Sequence, residues 1–198
     1  LKQPPEALLS ASAIGYYGHQ ADQALGEEGS PVPGFSQQLC QRWEEEALLA
    51  QQFGVRVCRM RFGVVLDRDG GAMQEMARPF RFGVANWLGS GKQWLSWVHR
   101  DDVIAAILYL LEHRELSGAF NITAPEPVTS RGFCQVMKHY YRTFITAPVP
   151  APVMRVLVGE MAEELLLNGQ RVVPTALSNA GFEFLYPTLD SALAAITR

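Results

Sequence analysis

The stretch Ala7-Leu8-Leu9-Ser10-Ala11-Ser12-Ala13-Ile14 decides how the chain is read. It is short and mostly apolar, bounded by Pro4-Pro5 before it and Gly15 after it, which is the pattern of a buried strand. An apolar run of this length does not by itself exclude a helix, so the reading depends on the neighbouring segments. A polar stretch rich in Gly and Pro, residues 19–34, reads as a loop. From 35 to 53 apolar residues recur at Phe35, Leu39, Trp43, Ala47, Ala50 and Phe53, with Glu44, Glu45, Gln51 and Gln52 between them. That spacing predicts an amphipathic helix, and Gly54 stands where a C-terminal cap belongs. Residues 55–65 are rich in β-branched and bulky side chains and read as a second strand.

Strand, helix, strand over this span is the βαβ unit of a parallel sheet. Inner strands of such sheets have neighbours on both edges. Nothing ahead of Ala7 could form one, and Leu1 is not an initiator methionine. The expectation is the C-terminal part of a longer α/β protein.

The remainder alternates in the same way. A short helix is expected over 70–82, ended or kinked by Pro79. Leu88-Gly89-Ser90-Gly91-Lys92 reads as a turn and 94–98 as a short strand. Asp101-Asp102 open a helix that runs to His113, their charge suited to its N-terminal dipole. Its apolar residues (Val103, Ile104, Ile107, Leu108, Leu110, Leu111) go nearly all round, which predicts deep burial. Then come a strand at 119–123, a helix at 130–143 with Ser130 as its N-cap, and a stiff Pro-rich connector at 147–152. Helical stretches around 153–167 and 174–180, and a last helix from Asp190, complete the chain. Two units are expected, 1–146 and a small, mainly helical 147–198.

Composition narrows the class. The 198 residues include 17 basic and 20 acidic side chains, a net charge of −3, with 48% hydrophobic and 19% charged residues. This is globular composition without the basic footprint of a nucleic-acid binder. No apolar run reaches the roughly 18 residues needed to cross a bilayer. Three scattered cysteines, Cys40, Cys58 and Cys134, predict no disulfide framework and point to a cytoplasmic protein.

Several motifs fail on inspection. Gly89-Ser90-Gly91-Lys92 lacks the P-loop glycine, since Asn86 stands there, and Gln93 replaces the Ser or Thr. His99-Arg100-Asp101 mimics a kinase catalytic loop, but the required Asn position holds Ala106. The four histidines and three cysteines show no metal-ligand spacing, and no Gly-x-Ser-x-Gly occurs.

The stretch Ser10-Ala11-Ser12-Ala13-Ile14-Gly15-Tyr16-Tyr17-Gly18 resembles the serine-bearing strand of extended short-chain dehydrogenases/reductases, the nucleotide-sugar epimerase/dehydratase type. Further blocks continue the likeness in order: Arg61-Phe62-Gly63-Val64, Pro79-Phe80-Arg81-Phe82-Gly83, Trp97-Val98-His99-Arg100-Asp101-Asp102 and Phe120-Asn121-Ile122-Thr123. The tail, with Leu165-Leu166-Leu167, Gln170-Arg171-Val172-Val173-Pro174 and Gly181-Phe182-Glu183-Phe184, is similar to the small C-terminal domain of the atypical, YfcH-like epimerase branch.

The resemblance implies a Rossmann-type parallel sheet and NADP (or NAD) as cofactor, with the glycine-rich pyrophosphate loop expected upstream of residue 1. The nicotinamide would meet Ser10, Ser12, Arg61, Gly63 and Val64, at strand carboxyl ends where open α/β sheets hold ligands. Catalysis in this superfamily relies on Ser together with a Tyr whose proton affinity is lowered by a Lys four residues on. No Tyr-x-x-x-Lys occurs in this chain; Leu88 precedes Lys92 and Cys134 precedes Lys138 at that spacing, and alignment puts Ser36 and Cys40 at the motif. Ser12 would then orient a carbonyl and Tyr17 donate the proton, with Arg61 or the cofactor as the nearby cation. Tyr16, Phe80, Trp97 and His99 would line the substrate cleft, and a homodimer through helix 35–53 is implied.

Plainer readings stand beside these. Small serines serve close packing, Tyr16-Tyr17 supply aromatic bulk, and Arg59 and Arg61, two apart on one strand face, are most simply explained by a buried carboxylate partner. The expected function is NADP(H)-dependent oxidoreductase or epimerase-like chemistry on a small carbonyl or hydroxyl substrate. The alternative is a nucleotide-binding sensor or regulatory protein without efficient catalysis.

Overall fold

The computed structural model describes residues 3–68, 70–149 and 169–197. At its centre, β1 (Ala7–Ala13), β3 (Arg56–Phe62) and β8 (Gly118–Ile122) form a parallel sheet in the order β1-β3-β8. The register runs from Ala7↔Arg56 to Ala13↔Phe62, and β8 joins with Arg61↔Asn121 and Phe62↔Ile122. Among the described residues β1 has no hydrogen-bonded strand on its other edge.

Strand alternation divides the side chains between two faces. One face presents Cys58, Met60, Phe120 and Ile122, which pack against Ala106 and Leu110 of α3 (Arg100–Glu112). The other presents Ser10, Ser12, Arg59, Arg61 and Asn121, and α1 (Phe35–Leu48) covers it. The βαβ unit β1-α1-β3 thus forms as the spacing predicts. Gly54, at φ 75°, closes the helical segment in the left-handed conformation.

Most of the apolar stripe of α1 and the turn after it, however, points outward. Phe35 is 73%, Trp43 50% and Phe53 71% exposed, while Gln37, Cys40, Glu44 and Ala47 are buried. The inward face is polar because the sheet offers it two arginines. Deep burial of α3 fails for a related reason: one stripe meets the sheet, and Ile104, Leu108 and Leu111 lie on the opposite, exposed side.

The expected strand over 55–65 is two. β3 ends at Phe62, and β4 (Val64–Leu66) leaves to pair with β7 (Trp97–His99). Gly63 is the joint, packed so closely that a Cβ there would stand 2.6 Å from the Ser96 carbonyl oxygen and 2.9 Å from Thr123 Cγ2. The strand over 94–98 likewise divides at Ser96: β6 (Trp94–Leu95) pairs antiparallel with β9 (Val128–Thr129). Within the expected connector, β10 (Ile145–Val149) pairs in parallel with β5 (Val84–Leu88). Proline at the edge of so small a sheet needs no ladder donor.

α2 (Gly71–Arg81) continues two residues beyond Pro79. Thr129, not Ser130, caps α4 (Ser130–Tyr140), its hydroxyl accepting the Gly132 N–H. Around α2 and α4 a second core gathers Leu66, Met73, Phe80, Trp97, Phe133 and Met137 with Leu193 of the last helix.

The segment after residue 168 returns to the sheet. β11 (Arg171–Val172) pairs in parallel with β2 (Ala24–Leu25), and α5 (Thr175–Asn179) packs on β8. α6 (Leu189–Ile196) closes the chain, started by a Thr188–Ser191 capping box. The helix expected over 153–167 lies outside the described residues. No helix among the described residues is long and apolar enough to cross a membrane.

Gly63 and Gly54 make a direct comparison. Gly63→Ala forces backbone apart and is expected to cost about 2 kcal/mol, as overpacking does. Gly54→Ala, in open space, carries only the left-handed conformational cost of about 1 kcal/mol. Urea unfolding of the two variants should rank them in that order.

Candidate functional site

β1 and β3 end side by side, and the chain leaves β1 through a single 3-10 turn, Ile14–Tyr17. That turn delivers Tyr16 and Tyr17 over the polar face of the sheet. Beneath them lies a buried ionic cluster centred on Glu44 of α1. Its carboxylate receives Arg61 through two parallel bonds, Nε to Oε1 and Nη2 to Oε2, both 2.8 Å. Arg59 adds Nη1 to Oε2 at 3.1 Å, and the Ser12 hydroxyl donates to Oε1 at 2.9 Å.

The Arg61 guanidinium has further neighbours, among them Glu27 O, which accepts from Nη1 at 3.3 Å. Its Nη1 donates to the Tyr17 hydroxyl at 2.9 Å, and its Cζ stands 3.5 Å from the centre of the Tyr16 ring. Tyr17 in turn donates to Asn121 Oδ1 at 2.7 Å. Burial pulls the Arg61 guanidinium towards neutrality, but its bonds to Glu44 and Tyr17 outweigh that and hold it firmly cationic. Burial pushes the Tyr17 phenol up despite the adjacent Arg61, so it stays protonated across the neutral range.

The expected site residues are therefore placed unequally. Ser12 (5% exposed), Tyr17 (0%) and Arg61 are brought together, but beneath α1, with the Ser12 and Tyr17 hydroxyl hydrogens donated to Glu44 and Asn121. Ser10 shares their sheet face two residues earlier. The Gly63 and Val64 N–H groups donate to Ile122 O and Ser96 O. Tyr16 is half-buried and borders a cleft of about 630 Å³ with Arg59, Glu27, Ser117 and Asn179.

Phe80 and Trp97 lie in the core, where Trp97 Nε1 donates to Glu126 O. His99 caps α3: its Nδ1 accepts the Asp101 N–H, and its ring lies 3.9 Å from that of Tyr186. Burial lowers its proton affinity, outweighing the Asp101 and Asp102 carboxylates.

Sequence reasoning passed over Glu44 and Asn121. Glu44 had a signal, since it shares a helix face with Cys40 and Ala47 opposite an arginine pair. Asn121 had none, because its partners come from opposite ends of the chain.

A parallel sheet with a helix on each face is the arrangement of a Rossmann-type fold. A family model for the NAD dependent epimerase/dehydratase family matches residues 1–123, and a domain of unknown function (DUF1731) matches 149–196. The chain belongs to that epimerase family. It is 38% identical over 192 residues to an epimerase family protein of Mycobacterium leprae, covering 97% of this chain and 62% of that protein. Among solved structures, the human epimerase family protein SDR39U1 (isoform 2) with NADPH superposes at a TM-score of 0.89 with 32% identity, over 100% of this chain and 67% of that one. A nucleoside-diphosphate sugar epimerase from Corynebacterium glutamicum gives 0.75 and 29%, over 96% and 37%. The chain spans 62–63% of the length of the curated relatives it matches.

Two measurements probe the cluster. Glu44→Gln leaves Arg61 buried without its counter-ion and is expected to destabilise by about 3–5 kcal/mol, whereas pairing Glu44→Leu with Arg61→Met recovers most of that loss. Equal unfolding energies for the single and the double variant would contradict a net ionic role. For His99 the sign follows from a folded-state value below the ordinary one of about 6.5. Its contribution is present above that value and is lost as pH falls through the lower, folded one. Stability of the wild type should therefore fall more steeply than that of His99→Gln as pH drops from 7.5 towards 5.

Proposed function

We propose that the full-length protein is an NADP(H)-dependent oxidoreductase or epimerase acting on a small carbonyl or hydroxyl compound. The supporting observation is the adjacency of the β1 and β3 carboxyl ends, in a fold shared over the whole chain with a relative solved with NADPH. At those ends Ala13, Ile14, Phe62 and Gly63 remain partly open. A nicotinamide ring needs this kind of flat, largely apolar border, and these residues fit it. The pyrophosphate end does not fit this chain, which holds no Gly-x-x-Gly-x-x-Gly turn. NADP(H) bound there would give or take a hydride. The residues of this chain would hold the ring edge, exclude water and keep the sheet rigid behind it.

A second reading has its own support. With the Ser12 and Tyr17 hydrogens directed inward and no Tyr-x-x-x-Lys in the sequence, the usual proton-transfer pair of the superfamily is not presented by these residues. That favours a nucleotide-responsive protein without efficient turnover. Fluorescence titration of the full-length protein with NADPH, followed by absorbance assays against a panel of carbonyl compounds, separates the two. NADPH consumption with any of them supports the enzyme. Saturable binding with no consumption supports the sensor, and absence of binding defeats both.

A further inference from the structure

The C-terminal segment 170–176 runs partly buried along the sheet, with Val172 and Pro174 turned inward. Ser96 Oγ donates to Gln170 O at 2.7 Å and accepts the Val172 N–H at 2.9 Å. The Val173 N–H donates to Leu25 O, and the Glu27 carboxylate accepts the N–H groups of Asn121 and Ala176 at 2.9 and 3.0 Å. Pinned from these directions, the segment offers its carbonyls as fixed acceptors.

One of them, Val173 O, receives Asn121 Nδ2 at 2.9 Å. A carbonyl has no hydrogen to give, so the side of the Asn121 amide facing it is the NH2 group. The amide is planar, which turns Oδ1 the other way, towards the Tyr17 hydroxyl at 2.7 Å. Tyr17 must then be the donor. Its oxygen keeps only lone pairs, and Arg61 Nη1 fills one at 2.9 Å. The remaining edge of Arg61 lies on Glu44, whose Oε1 takes the Ser12 hydrogen.

The reverse order fails. A flipped Asn121 would set Oδ1 against Val173 O and leave the Tyr17 hydrogen between two donors. Asn121 and Tyr17 are both fully buried, so bulk water cannot repair the mismatch.

We propose that Asn121 is a positioning residue through which segment 170–176, part of the domain of unknown function, fixes Tyr17 as a hydrogen-bond donor and with it the pose of Arg61 beneath Tyr16. The proton order stands on these distances alone; its importance for nucleotide chemistry rests on the function proposed above.

Ring-mode Raman spectra, taken as wild type minus Tyr17→Phe, isolate Tyr17 and report whether its phenol donates or accepts. The wild type, whose phenol donates to Asn121 and accepts from Arg61, is expected to show the signature of a hydroxyl that does both. Ser96→Ala releases one pin of the segment without touching Tyr17, and Glu27→Gln releases another while also removing a charge that raises the Tyr17 proton affinity. In both, amide exchange at Val172 and Val173 should accelerate at least tenfold, and the Tyr17 signature should move from donor-and-acceptor towards acceptor only. A merely structural role would lower the melting temperature and leave that signature in place. Faster exchange with an unchanged signature in either folded variant would overturn the proposal, as would an acceptor-only signature in the wild type. NADPH titration of the wild type is independent of all of these readouts, so failure of the functional reading remains distinguishable.

Discussion

A carboxylate held out of water between two guanidinium groups constrains most of what surrounds it. Glu44 is 3% and Arg61 2% exposed, and ions so placed are stable only if they find each other with good geometry and fill their remaining hydrogen-bonding sites. Here the requirement is met by parallel Nε and Nη2 bonds from Arg61, by Arg59 at the edge, and by Ser12. Such a pair gives little net stability over an apolar pair of equal volume. What it gives is definition: α1 can sit on the sheet in one rotation only, the one that turns Glu44 inward and therefore turns Phe35 and Trp43 outward.

The same constraint reaches the chemistry of the site. A serine and a tyrosine near a nucleotide edge would ordinarily be read as proton donors to a substrate. In this fold their hydrogens are already committed, Ser12 to an anion and Tyr17 to an amide oxygen, and the phenol is held protonated by burial. The cation beside Tyr17 does not lower its proton affinity below the ordinary value, because desolvation dominates and the nearby Glu27 charge adds to it. Proximity of a cation is therefore insufficient for an acidic phenol; the phenolate must also be solvated.

How much of this was legible in the sequence depends on the range of the interaction involved. The βαβ unit, the Gly54 cap and the Asp101-Asp102 helix start are short-range features, decided by periodicity and by residues within a turn of one another. The breaks at Gly63 and Ser96 were not legible, because each is made by the other across the β4–β7 pair. The inward rotation of α1 went against a sound amphipathic pattern, since a hydrophobic stripe shows where a helix is apolar and not which side its neighbours occupy. Arg59 and Arg61 carried the missing information, as two cations on one strand face demand an anion nearby. Phe80, Trp97 and His99 belong to the blocks on which the family resemblance rests, yet core packing and helix capping are enough to account for their surroundings here.

Sequence order and spatial order part most clearly at the C-terminus. Family models divide the chain near residue 149, but β11 pairs with β2, Asp102 accepts the Leu185 and Tyr186 N–H groups, and Glu27 joins Asn121 to Ala176. Burial pushes the Asp102 carboxyl up, and the two main-chain donors only partly offset this. A carboxylate is kept buried there because it fixes the 184–186 turn against the first turn of α3. These contacts join residues far apart in the chain, so the C-terminal segment takes its hydrogen-bond partners from elements much earlier in the sequence. The sheet in turn lacks acceptors for Asn121 and Ser96 until that segment arrives. Two stretches that are separable as sequence patterns are therefore one cooperative unit, coupled through buried polar groups that neither stretch can satisfy alone.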